Sequence, residues 1–99
     1  MSIRNDIWRL VFGRNRVADG TIVKRSGRDH HLVTIGERKV KVFTEMCTKE
    51  IDFVIEPSSI QRWLPPHENE KLGEGDRREV VDALSRYFDL NRYKYEIET

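Results

Sequence analysis

The chain has 99 residues, of which 37% are hydrophobic and 35% charged, with a formal net charge of +1 and one cysteine. That length suffices for a single domain with a modest core, and the apolar residues fall in periodic runs, which excludes a wholly disordered chain. Cys47 alone excludes an intrachain disulfide, and no apolar run approaches the roughly 18 residues of a membrane helix, so a cytoplasmic protein with no membrane partner is expected.

The small net charge hides an uneven distribution. Residues 1–44 carry ten Lys or Arg against four acids, a net of +6, and residues 45–99 carry eight against thirteen, a net of −5. Such a chain has either a bipolar surface or halves that interleave and neutralise one another across strands.

Along the chain, residues 1–20 read as an N-terminal extension. Ile3, Ile7, Leu10 and Val11 fall at helical spacing behind Ser2, while residues 7–12 are rich in strand formers, so a short helix and an irregular strand both fit. Residues 14–20 read as a connection that ends on an Asp19-Gly20 turn. Strands are expected within residues 21–55, at 21–24, 30–35, 39–44 and 51–55, with turns at Ser26-Gly27 and Gly36-Glu37. Strict alternation in Lys39-Val40-Lys41-Val42 puts the valines on one face and the lysines on the other.

Pro57 ends the last of these strands and opens a proline-containing loop, residues 57–75, with one helical turn between Ser59 and Trp63. A helix over 76–91 follows, starting at a capping-box-like Asp76 and Glu79 and burying Val80, Val81, Leu84, Tyr87 and Phe88 along one stripe. Tyr93, Tyr95 and Ile97 then alternate with polar residues in a final strand over 93–98. The expected fold is α+β, a small antiparallel sheet with one main amphipathic helix packed on one face and a C-terminal strand.

Catalytic and ligand chemistry finds little support. His30, His31 and His67 are the only histidines, and adjacent strand residues point to opposite faces, so no metal site and no cofactor are expected. Cys47 stands beside Glu45 and Glu50, which raise rather than lower a thiol pKa, and reads as a small packing residue. Gly73-Glu74-Gly75 lacks the remaining residues of a phosphate loop, and Glu74, Asp76 and Glu79 would repel an anion while suiting the helix dipole. An enzyme is not expected.

Two stretches carry binding potential. Arg4, Arg9, Arg14 and Arg16, interleaved with Trp8 and Phe12 and followed by Lys24, Arg25 and Arg28, could hold phosphates and stack bases. The pI of 7.9 nevertheless falls short of the value above about 9 that nucleic-acid-binding domains show. The second stretch is Arg62-Trp63-Leu64-Pro65-Pro66-His67-Glu68, where Trp and Arg, frequent interface anchors, sit beside two prolines that favour an extended, low-entropy form. In an equally weighted and compatible reading, Trp63 plugs the end of the core and the prolines redirect the backbone.

The order of Glu45-Met46, Ser59-Ile60-x-x-Trp63, Pro65-Pro66-His67-Glu68 and a closing helix and Ile97-Glu98 strand resembles the immunity proteins of bacterial polymorphic toxin systems, specifically the immunity protein 74 family. The resemblance covers residues 28–98 and departs from the family pattern in having Asn91-Arg92 where a glycine follows the helix. It implies a non-catalytic cytoplasmic protein that binds a cognate toxin domain, with Arg62, Trp63, Pro66, His67 and Glu68 as the partner-binding residues and Trp63 as anchor. An inhibitor of this kind requires an exposed Trp63 or an apolar patch with a charged rim. A nucleic-acid-binding regulator requires a contiguous basic N-terminal surface, and a homodimer requires an uncovered apolar sheet face.

Overall fold

The computed structural model describes residues 16–18, 20–47 and 50–98. Six strands form one sheet in the order β1 (Arg16–Ala18), β2 (Thr21–Arg25), β3 (His30–Ile35), β4 (Arg38–Met46), β5 (Phe53–Ile55), β6 (Tyr95–Ile97). Among the described residues one α-helix, α1 (Glu74–Leu90), lies between β5 and β6 in the chain. The fold is α+β, as expected.

Local chemistry accounts for the hairpins. Ile35 pairs with Arg38 across a two-residue turn whose first residue, Gly36, has φ of 64°, a value that an L side chain resists and a tight hairpin turn requires. In β4, Val40, Val42 and Thr44 are buried while Lys39, Lys41 and Glu45 are exposed, so the alternation read from the sequence sets the two faces of the sheet.

Several boundaries differ from expectation. Residues 16–18, read as a connection, form β1 against β2. The strand expected at 51–55 is confined to β5, and the single helical turn lies earlier, as a 3-10 turn at Pro57–Ser59. The helix begins two residues early because Asp76 acts from inside the first turn: its carboxylate accepts the Gly73 N–H at 2.9 Å, making Gly73 the N-cap. The sheet is also not wholly antiparallel. β6 runs parallel to β5, because α1 carries the chain back to the end of the sheet from which β5 started. The helix or strand expected in the first thirteen residues lies outside the described residues.

Helix α1 buries Val80, Ala83, Leu84, Tyr87 and Phe88, with Val81 partly buried beside them. These residues join Val23, Val33, Val40, Val42, Phe53 and Ile55 from the sheet in one core, closed at one end by Ile60, Trp63 and Leu72 from the proline-containing loop. Its centre is aromatic. Phe53 and Phe88 stack with centroids 4.9 Å apart, and the His31 ring stands edge-on to both at 5.2 Å.

After Leu90 the chain turns through a Schellman motif. Arg92 N–H donates to Asp89 C=O at 3.1 Å, Tyr93 N–H donates to Phe88 C=O at 2.9 Å, and the Phe88 and Tyr93 rings meet at 6.3 Å. The left-handed residue of the motif is Arg92, with φ of 60°, whereas Asn91 keeps a φ of −95°.

Candidate functional site

The loop between β5 and α1 is held at several points. Leu64 N–H donates to Lys39 C=O at 2.7 Å, laying the chain beside the start of β4, and Arg77 of α1 donates from Nε to Ile60 C=O at 3.1 Å. Arg38, the first residue of β4, donates from Nε to Glu70 Oε1 at 2.8 Å and forms an ion pair with that carboxylate. His67 Nε2 lies 3.7 Å from Glu70 Oε2. Strand, helix and loop thereby fix the segment from three sides.

Within this frame the site residues divide by depth. Trp63 is 3% exposed and Ile60 fully buried, so both belong to the core, and Trp63 is not the exposed anchor expected from the sequence. Arg62, Pro65 and Pro66 are exposed, and His67 and Glu68 are half-buried. Pro65 and Pro66, joined by a cis peptide bond, sit within a turn closed by His67 N–H to Leu64 C=O at 3.0 Å, in place of the extended form expected from two prolines. His67 Nδ1 and Glu68 Oε2 are buried without a hydrogen-bond partner among the described residues. Sequence reasoning placed the segment but missed Arg77, Arg38 and Glu70, which fix it through contacts between residues distant in the chain.

The remaining candidates sit elsewhere. His30 and His31 point to opposite faces. His30 meets Phe43 edge-on at 5.5 Å, while His31 is 1% exposed, with Nδ1 at 2.6 Å from the buried Thr44 hydroxyl. Burial, and secondarily the Arg25 charge, lower the His31 pKa to about 4. Cys47 is half-buried, with Sγ 3.8 Å from Glu45 C=O. No group of three His, Cys, Asp or Glu able to hold a metal ion occurs among the described residues. Gly73 and Glu74 open α1, where Glu74 pairs with Arg77.

Of the basic residues, Arg4, Arg9 and Arg14, with Trp8 and Phe12, lie outside the described residues. Arg25 is held locally, donating to the carbonyls of Gly27 at 3.0 Å and Arg28 at 3.1 Å, with its guanidinium 5.5 Å from the Phe53 ring centroid. No described helix is long and apolar enough to cross a membrane.

Comparison with curated proteins and with solved structures gives no match. The protein family described as immunity protein 74 matches residues 25–98, which run from the last residue of β2 through β6 and contain the whole proline segment. The chain therefore belongs to the immunity protein 74 family.

Proposed function

We propose that this chain protects the cell that makes it by binding a cognate toxin domain directly, in the cytoplasm and without catalysis, and that residues 62–68 form the contact. Family membership supports a toxin partner. The observation that carries the choice of segment is its fixation: Arg62, Pro65 and Pro66 are exposed around the buried Trp63, Leu64 N–H donates to Lys39 C=O, and the flanking Ile60 and Glu70 are held by Arg77 and Arg38. A segment ordered before binding loses less conformational entropy on docking. In this arrangement Arg62, Pro66, His67 and Glu68 meet the toxin, and Trp63 stays in the core. Occlusion of the toxin's working surface then needs no reacting group on this chain.

Calorimetric titration of the cognate toxin domain with this chain tests the reading. The wild-type chain should bind with 1:1 stoichiometry, and Arg62→Ala combined with Glu68→Ala should weaken binding about 30-fold or more, as loss of about 2 kcal/mol at an interface centre requires. Unchanged affinity in that variant would move the contact off the segment. Absence of wild-type binding would remove the toxin-binding reading altogether.

A further inference from the structure

The face of the sheet turned away from α1 has a charge pattern that the strand registers fix. In one rung Lys24, Leu32 and Lys41 stand side by side across β2, β3 and β4, and Lys39 lies two residues before Lys41 on the same face. In the opposite corner Glu45, Val54 and Glu96 form a rung across β4, β5 and β6. Glu56 and Glu98 follow Val54 and Glu96 by two residues, and Glu56 N–H donates to Phe43 C=O at 3.2 Å. Leu32, Phe43 and Val54, all partly buried, run as an apolar strip between the corners.

Each corner concentrates one sign of charge over neighbouring strands about 4.8 Å apart. None of these lysines or glutamates forms an ion pair with a described residue. Crowding in the acidic corner is evident at Glu56, whose pKa is raised by its hydrogen bond to Glu98, by desolvation, and by the charges of Glu98 and Glu45. A polyanion such as nucleic acid would satisfy the lysine corner and be repelled by the glutamates. A surface that is itself divided in this way satisfies both corners, and this chain presents one.

We infer that this face is a contact between two copies of the chain. A two-fold axis lying in the interface, crossing the apolar strip at Phe43 and perpendicular to it, sets Lys24, Lys39 and Lys41 of each copy opposite Glu45, Glu96 and Glu98 of the other. The strip buries Phe43 against its symmetry mate and Leu32 against Val54 of the other copy, and the charged corners form the rim. This pairing goes beyond toxin binding and is measured without a toxin.

The experiment is sedimentation equilibrium of the full chain over a concentration series at low salt, with two charge-reversed variants, Lys39→Glu with Lys41→Glu, and Glu96→Lys with Glu98→Lys. All four residues are exposed, and circular dichroism checks that both variants fold. Wild type should dimerise reversibly and more weakly as salt is raised. Each variant alone should be monomeric, and an equimolar mixture should regain a dimer, because every reversed corner then meets its complement. A wild-type chain that stays monomeric up to its solubility limit overturns the inference. So does a dimer unaffected by either reversal, or a mixture of the variants that fails to pair.

Discussion

Acid should destabilise this fold in a window set by one buried imidazole. His31 has a pKa lowered from 6.5 to about 4, first by burial and then by the Arg25 charge. Between those values the folded chain keeps His31 neutral while the unfolded chain takes up a proton, so acidification favours unfolding. The contribution is fully present above pH 6.5, falls by up to about 1.4 kcal/mol per pH unit, and levels off near pH 4. Across the whole shift the loss reaches at most about 3 kcal/mol, a large part of the stability of a small domain.

Urea unfolding followed by tryptophan fluorescence, repeated at half-unit pH steps, reads this directly. The His31→Gln variant is the reference. It should cost about 1–3 kcal/mol at neutral pH, because Thr44 loses the partner of its buried hydroxyl, and it should show a flatter slope on acidification. The difference between the two proteins isolates the histidine, since Glu56, with its raised pKa, works in the opposite sense: the folded state gains that proton first as pH falls. Parallel pH profiles for wild type and His31→Gln would refute the reasoning.

Three further outcomes follow from the geometry. Arg92→Gly should stabilise the chain by about 0.5–1 kcal/mol in the same unfolding assay, because φ of 60° costs an L residue what it does not cost glycine. Trp63→Ala should cost about 3–5 kcal/mol by leaving a cavity under the proline segment, whereas Arg62→Ala, at an exposed position, should change stability by less than about 0.5 kcal/mol. Asp76→Ala should lower the melting temperature through a loss of about 0.5–2 kcal/mol, since the Gly73 N–H then has no carboxylate to cap it.

The features legible in the sequence were those with a period. The stripe Val80, Leu84, Tyr87 and Phe88 predicts the buried face of α1, and the alternation in β4 predicts which residues turn inward. What escaped depends on the path of the chain through space. The parallel sense of β6 follows from where α1 delivers the chain, and the left-handed turn falls on Arg92, one residue past the more permissive Asn91. Trp63 could equally have been an exposed anchor or a core plug until the fold showed Ile60 and Leu72 closing the core beside it. The charge asymmetry of the two halves was visible, but only strand register shows that the outer face stays divided: Leu32, not an acid, stands between Lys24 and Lys41.

The central claim, that this chain neutralises a toxin by binding it, is tested most directly by growth of a sensitive bacterium expressing the cognate toxin domain with and without this chain. The toxin alone should stop growth, and co-expression of the chain should restore it, with the two polypeptides recovered as one complex. Continued growth arrest despite soluble, folded chain at levels matching the toxin would contradict the account.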